Sequence, residues 1–477
     1  MFETGVRQMR VAFATVFGRP IPVRALQRLL ADALATLEEF GSPGDDVQHL
    51  LDGPYADPGL RVQLQVKALR RTARRMTARS SFYRDRFAAS DVDPARLTLD
   101  TMRAVPVTAR WELDAHGPAM RCGRPFLSTR TSGTTAAPLE VWLSRYEMEL
   151  WPALVALSMV LRGELGPNDH VQISTNVRAT ATMQADVELC RLVGAACSVV
   201  GLVDPEEGLD RLRGRFGLAP TVLNTYPSYL GALVTAARDR GLGPDDFALH
   251  TVNVGGEMMT VALADAARQT LGASRIDDSY GATELMPFGG RSCEQGHLHL
   301  DPNLGYAEVL DLSTMEPVEP GELGTLVVTP YFPYRECTPV FRYDTRDLVR
   351  LPVAQRTTCE LAAIPAVSQI LGKANDLVHT ADGPVTPRQI AEVLEAIPGV
   401  RWPVRFTAHA TGGRLRITVP RSCLPPEVNR PGLAETCAAR GIDAEVVVAV
   451  GDPPGGRPLR ADFVLPRLGR QPSVAVS

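Results

Sequence analysis

The chain reads as an α/β protein: a large N-terminal domain of sheets covered by helices, followed by a small α+β C-terminal domain. Two observations predict this. From about residue 120, short β-rich runs alternate with amphipathic helical stretches, the pattern of sheets covered by helices. After residue 375 a separate unit of about 100 residues follows, with a strand and helix order of roughly βαββαβ. The length of 477 residues, 45% hydrophobic and 22% charged, is enough for two or three domains with a large core.

Residues 1–60 form a helical extension, because Leu26, Leu29, Leu30, Ala33 and Leu37 recur at the helical period. A second helix follows, with Val62, Val66, Leu69, Ala73 and Met76 on one face. Its other face holds Lys67, Arg70, Arg71, Arg74, Arg75 and Arg79 and is read as solvated. The domain spanning 61–374 then shows strand runs at 170–175 (HVQIST), 197–202 (CSVVGL), 220–226 (PTVLNTY), 250–255 (HTVNVG) and 325–329 (TLVVT). Helical segments lie between them near 183–193, 205–215, 228–240 and 260–271. In the last domain, 375–477, a helix is expected near 387–396 and strands near 403–408, 413–419 and 444–450.

Composition excludes several functions. A net charge of −4 gives no reason to expect a nucleic-acid partner. The longest apolar run, Trp151–Leu161, is shorter than the roughly 20 residues a membrane span needs. The apolar stretch Val11–Phe17 is short, is closed by Arg19 and has no small-residue cleavage site, so no signal peptide is expected. Eight scattered cysteines without a CxxC read as reduced thiols in a cytoplasmic protein. Of 50 basic side chains only Lys67 and Lys373 are lysines, leaving 48 arginines. Chemistry that needs a neutral amine is restricted to those two positions.

The densest local signal is Ser128-Thr129-Arg130-Thr131-Ser132-Gly133-Thr134-Thr135-Ala136-Ala137-Pro138. Its hydroxyls and backbone N–H groups suit a polyphosphate, although no GxxxxGK[ST] loop is present. Further segments follow in order. Gly255-Gly256-Glu257 ends a strand, and Ser279-Tyr280-Gly281-Ala282-Thr283-Glu284 follows one. Next come Phe341-Arg342-Tyr343-Asp344-Thr345-Arg346-Asp347 and Gly372-Lys373-Ala374-Asn375-Asp376. In this order and spacing they resemble the adenylate-forming (acyl- and aryl-CoA synthetase) superfamily, in its phenylacetate–CoA ligase-like branch. The resemblance runs from about residue 62 to about 465.

The resemblance implies an ATP-dependent, AMP-forming ligase acting on a small, aromatic carboxylic acid. Arg457, Glu284 and Thr134 would be its catalytic residues. Ser132, Gly133, Thr134 and Thr135 would hold the β- and γ-phosphates, and Glu284 would help hold Mg2+. Gly255, Gly256, Glu257, Ser279, Tyr280 and Gly281 would line the adenine slot. Asp347 would accept from the ribose hydroxyls, with Lys373 beside the nucleotide. Tyr226, Met286 and the stretch 176–182 are placed at the acid pocket by position. Asn375 would be the hinge of a mobile C-terminal domain. The acceptor would be a thiol, from CoA or a carrier protein, or an amine; a homodimer is open to such a protein. The branch also implies a structural Zn2+, here on Cys293, His297, His299 and Cys359.

Two positions depart from the family. Ala136-Ala137 stands where Gly-Lys is frequent, and Arg457 stands where the family has its catalytic lysine. Three readings stay open: Arg457 substitutes for lysine, the substrate is unusual, or adenylation is lost. An unusual substrate would include nitrite, adenylated for attack by an aryl amine in an ATP-dependent diazotase. Lost activity would leave a non-catalytic nucleotide-binding homologue.

Overall fold

The computed structural model describes residues 2–41, 57–130, 139–176, 180–353, 358–451 and 459. Two helices open the chain, α1 (Phe2–Phe17) and α2 (Val23–Phe40), tied together by Arg7 Nη1 to Asp32 Oδ2 at 2.9 Å. Next comes α3 (Pro58–Arg79), started by Asp57, whose carboxylate accepts from the N–H groups of Gly59 and Leu60. Leu69, Ala73 and Met76 of α3 are buried, as the period predicts. Its basic face is solvated only in part: Lys67, Arg74 and Arg79 are exposed as expected, while Arg70, Arg71 and Arg75 are half-buried. Arg70 donates to Leu97 O at 2.7 Å, Arg71 to Phe332 O at 3.0 Å and Arg74 to Ala95 O at 3.3 Å. Arg75 stacks over the Phe332 ring at 5.1 Å. Guanidinium groups carry several donors on a long apolar stem, so they can satisfy loop carbonyls while covering apolar surface.

Helices α4 (Ser81–Ala89) and α5 (Arg110–Met120) lead into a hairpin of β1 (Leu127–Arg130) and β2 (Glu140–Leu143). After α6 (Arg145–Leu161) the alternating section begins: β3 (His170–Ser174), α7 (Thr180–Val193), β4 (Ala196–Val199), α8 (Pro205–Leu212) and β5 (Val222–Thr225). It continues through α9 (Pro227–Asp239), β6 (Thr251–Gly255), α10 (Val261–Leu271) and β7 (Arg275–Gly281). These five strands are parallel, in the order β7-β6-β5-β3-β4. Helices cover both faces, so β3 is buried along its whole length, Gln172 and Ser174 included. The expected helix at 205–215 stops at Leu212, where Gly214 takes a φ of +72°.

Antiparallel β8 (Gly289–Ser292), β9 (His297–Leu300) and, later in the chain, β13 (Ala366–Ser368) extend the β7 edge to eight strands. A second, antiparallel sheet has the order β10 (Gly305–Leu310), β11 (Leu323–Pro330), β12 (Tyr343–Arg350) and β14 (Gly372–Lys373).

The C-terminal section begins with a hairpin, β15 (Val378–Thr380) and β16 (Gly383–Val385), where a single strand was expected. Then come α11 (Pro387–Glu395), β17 (Thr407–Thr411), β18 (Arg414–Pro420), α12 (Arg430–Ala439) and β19 (Ala444–Ala449). The strand expected at 403–408 starts four residues later, because Pro403 lacks the N–H a ladder needs.

This section shares one hydrophobic core with α8, α9 and α10. Trp402 is its main contact. Trp402 lies over Gly231, where a Cβ would come within 2.6 Å of the Trp402 Cβ. Thr235 Oγ1 donates to Trp402 O at 3.0 Å and accepts from Trp402 N at 2.9 Å. Glu395 accepts from Thr260 Oγ1 at 2.5 Å and Trp402 Nε1 at 3.1 Å, and burial pushes its carboxyl up to about 7.

A stability prediction follows from that shift. Between the ordinary glutamate value and about 7, the unfolded chain releases a proton that the folded chain keeps. Folding stability therefore falls as pH rises through this window. Glu395→Gln removes the penalty, so its melting temperature relative to the parent should rise between pH 5 and pH 8, by the equivalent of about 2 kcal/mol. Equal differences at the two pH values would contradict a neutral buried Glu395.

Candidate active site and metal-ligand cluster

The parallel strands end together, and the expected nucleotide residues sit at those ends. Gly255, the last residue of β6, is in register with Ser279 of β7. A Cβ on Gly255 would meet Ser279 O at 2.8 Å, so only glycine allows this close approach. Gly256 follows with a φ of +77°, in the region that favours glycine. Glu257 reaches across to the neighbouring strand end: its Oε2 accepts from Ser228 N at 2.9 Å, in the first turn of α9 just after β5. Ser279 Oγ donates to Val254 O at 3.0 Å, and Gly281 is exposed.

Tyr280 joins the two large sheets. Its hydroxyl donates to Asp347 Oδ2 at 3.0 Å, and Lys373 Nζ lies 2.8 Å from Asp347 Oδ1. Asp347 and Lys373 are register partners on β12 and β14, which explains the pairing. Lys373 also donates to Thr345 O at 3.0 Å. The Asp347 carboxylate is thus held at both oxygens, with one lone-pair direction on each still available.

Glu284 is 7% exposed and takes both its contacts on Oε1: the Tyr343 hydroxyl at 2.9 Å and Arg110 Nη1 at 3.5 Å. Burial and the Glu284 charge hold the Tyr343 phenol well above its ordinary value, so it stays a donor. Arg110 was not singled out in the sequence. It is the first residue of α5, and nothing in its local sequence marks it.

Met286 packs with Leu143 of β2 and Ala181 of α7. Two of the segments placed at the acid pocket by position therefore meet. The third, Tyr226, reaches the same end of the sheet, where its hydroxyl oxygen accepts from Asn176 N at 3.2 Å. Asn375 sits in a short 3-10 turn and accepts from Arg346 at 3.0 Å. The left-handed backbone near the expected hinge lies instead at Arg342 (φ 49°) and Arg346 (φ 58°). Ser132, Gly133, Thr134, Thr135 and Arg457 lie outside the described residues, as do 177–179 of the stretch 176–182. The strands that precede and follow the hydroxyl stretch in the sequence, β1 and β2, pair antiparallel, with Arg130 opposite Glu140.

On the other side of β8, the side chains of Cys293, His297, His299 and Cys359 converge, with ligand atoms all within 4.8 Å of one another. Cys293 Sγ lies 3.5 Å from His297 Nδ1, and Cys359 Sγ 3.2 Å from His299 Nε2. His299 Nδ1 is 3.1 Å from Ile364 O. That contact places the ring proton on Nδ1 and leaves the Nε2 lone pair facing the cluster. The pairing of β13 with β9 brings Cys359 to this place.

Residues 118–331 match the family model described as AMP-binding enzyme. A phenylacetate–coenzyme A ligase of Thermus thermophilus is 27% identical over 348 residues, covering 71% of this chain and 76% of that protein. The chain is similar over these residues to the adenylate-forming enzymes, in their phenylacetate–CoA ligase-like branch, and these similarities support an AMP-forming ligase. A phenylacetate–coenzyme A ligase of Pseudomonas putida is 28% identical to this ligase over 343 residues, covering 69% of the chain and 74% of that protein. Among solved structures, a 2-hydroxyisobutyryl-CoA ligase in its postadenylation state superposes with a TM-score of 0.68 at 19% identity. That match covers 82% of this chain and 86% of the other, and it shows a shared fold. Among the described residues of this ligase, no helix is long and apolar enough to cross a membrane.

Proposed function

We propose that this ligase activates an aryl carboxylic acid with ATP and passes the acyl group to the thiol of coenzyme A. The observation that carries the reading is the held carboxylate of Asp347 at the junction of the two sheets. Lys373 and Tyr280 fix its plane, and its two remaining lone-pair directions suit the paired hydroxyls of a ribose. The aryl acid and the coenzyme A thiol are supported by the names of the Thermus and Pseudomonas relatives.

In the first step an oxygen of the acid attacks the α-phosphorus, and the bond to pyrophosphate breaks. In the second the thiol sulfur attacks the acyl carbon, loses its proton, and AMP leaves with the bridging oxygen. Glu284 is a hard oxygen donor with Oε2 outside its two contacts, which fits Mg2+ at the phosphates. When bound, Mg2+ supplies charge neutralisation on the leaving pyrophosphate. Arg110 beside Glu284 adds a fixed positive charge. Two thiols and two imidazoles at these separations fit a closed structural Zn2+ site on Cys293, His297, His299 and Cys359. We assign the acid-clamping role of the missing lysine to Arg457, which can hold a carboxylate or phosphate bidentately.

Isotope exchange between ATP and pyrophosphate tests the reading. Exchange that depends on an aryl acid and on Mg2+, followed by AMP release on adding coenzyme A, is expected. Exchange supported by nitrite and by no carboxylate would make the chain a diazotase instead. No exchange with either would contradict adenylation. Arg457→Ala should lower the acid-dependent exchange rate about 100-fold while ATP binding stays near the parent value. An unchanged rate would remove Arg457 from the site.

A further inference from the structure

The apolar stretch Val11–Phe17 has no part in the ligase chemistry, and it precedes residue 62, where the family resemblance begins. It lies in α1, whose two faces are both apolar. The inner face, with Arg7, Val11 and Ala14 at helical spacing, packs on α2 and the core behind it. The outer face carries Met9, Phe13 and Phe17, four residues apart, and these are 65%, 50% and 57% exposed. The Phe13 and Phe17 ring centres are 4.2 Å apart, so the side chains form a ridge along the helix. The fold fixes its direction. Ile21, in the turn between α1 and α2, donates its N–H to the Tyr146 hydroxyl of α6 at 2.9 Å. A contiguous apolar ridge held in water marks a surface for something outside the chain.

The ridge stands among positive charges. Arg10 and Arg19 flank it, and the Arg19 guanidinium lies 5.6 Å from the Phe13 ring centre. A short turn joins α1 to α2, which returns along it so that Arg7 meets Asp32. One turn on from Arg7 is Val11, and one turn back from Asp32 is Arg28; the next step reaches Thr15 and Arg24. Arg24 and Arg28 therefore stand level with the ridge. All four arginines are exposed, with no ion pair among the described residues. The acids of the hairpin do not offset them. Glu3 and Asp32 both pair with Arg7, while Glu38 and Glu39 lie in the last turn of α2, roughly 15 Å beyond Arg28. In a chain of net charge −4 this is a local positive surface.

Charge and shape select the occupant. Two copies of the chain joined through their ridges would bring the same four arginines of each together. Three apolar side chains per copy also fall well short of the roughly 20–30 residues a side of a stable interface. A convex ridge gives a folded partner no pocket to fill. An anionic lipid surface meets both features. The apolar side chains sink between headgroups without needing a matching shape, and arginines reach the phosphates while their stems stay apolar. Among the described residues no helix can cross a membrane, so the helix would lie in the plane of the surface.

We propose that the outer face of α1, with Arg10, Arg19, Arg24 and Arg28, docks the chain on an anionic lipid bilayer through Met9, Phe13 and Phe17. The proposal is independent of the ligase reading.

Co-sedimentation of the full chain with vesicles tests it. Vesicles of phosphatidylcholine with phosphatidylglycerol should bind the parent about 10-fold or more tighter than phosphatidylcholine alone. Raising the salt from about 0.1 M to about 1 M should weaken that binding about 10-fold or more. Phe13→Ser combined with Phe17→Ser should weaken it about 10-fold or more, with a melting temperature close to that of the parent because both rings are already in water. Arg24→Gln combined with Arg28→Gln should remove most of the preference for anionic vesicles. A parent that stays in the supernatant with anionic vesicles would overturn the proposal, and so would full binding by the serine variant. A parent that is dimeric in solution, and monomeric once the serines are introduced, would give the ridge to a second copy and overturn the lipid surface. Binding to polyglutamate without binding to anionic vesicles would give it to an acidic protein instead.

Discussion

Asp347→Ala should lower kcat/KM for ATP in the exchange reaction by about 1,000-fold. The account gives Asp347 two charge-assisted hydrogen bonds to the ribose, each worth about 2 kcal/mol, and about 4 kcal/mol is a factor of about 1,000. The loss should fall mainly on KM, because the ribose is held in the ground state and the transition state alike. Asp347→Ala also leaves Lys373 with Thr345 O as its remaining acceptor. Asp347→Asn keeps the shape of the side chain and separates that effect from the loss of charge. A second reading comes from dideoxy-ATP, which lacks the ribose hydroxyls. The parent should discriminate strongly against it and Asp347→Ala hardly at all. Equal discrimination in both would move the ribose away from Asp347.

The second large effect concerns the metal cluster. Metal analysis of the purified chain should find one zinc per chain, and Cys359→Ser should lose it. Zinc affinity at a structural site is folding free energy, so the variant should lose about 3 kcal/mol or more of stability. In a chain of this size that is a fall of roughly 3 °C or more in melting temperature. Chelation should bring the parent to the same value and leave the variant unmoved. A metal-free parent that melts at the same temperature with and without chelator would contradict the assignment.

How far the sequence carried depends on what each element had to satisfy. The strands at 222–225 and 251–255 were legible from their β-rich stretches, whose Val222, Leu223, Val252 and Val254 are buried in the sheet. The strands of two and three residues at 372–373 and 366–368 were not. They exist because β12 and β9 offer unpaired edges, a tertiary condition with no local pattern. The arginine face of α3 misled in part, for a related reason. Its periodicity marks it as polar, but the carbonyls it serves, at Ala95, Leu97 and Phe332, lie far along the chain.

The candidate site shows the same division. Asp347, Tyr280 and Lys373 stood in recognisable motifs, although their mutual contacts required two sheets to meet. Arg110 carried no signal, because its partner Glu284 is 174 positions away. Asn224 and Asn253 did leave a trace: each interrupts an otherwise apolar run near its C-terminal end. Their register on adjacent strands lets the two amides meet, Asn253 Nδ2 donating to Asn224 Oδ1 at 2.8 Å. The scarcity of lysine also takes on a meaning. One of the two lysines in the chain, Lys373, lies against the candidate ribose carboxylate.

The central claim is that an acid oxygen attacks the α-phosphorus of ATP. A single-turnover reaction with an aryl acid labelled with oxygen-18 in its carboxyl group, ATP and coenzyme A tests it directly. The account predicts AMP carrying one labelled oxygen, transferred with the bridging atom, and unlabelled pyrophosphate. Label in inorganic phosphate or pyrophosphate with unlabelled AMP would place the attack elsewhere and contradict the account.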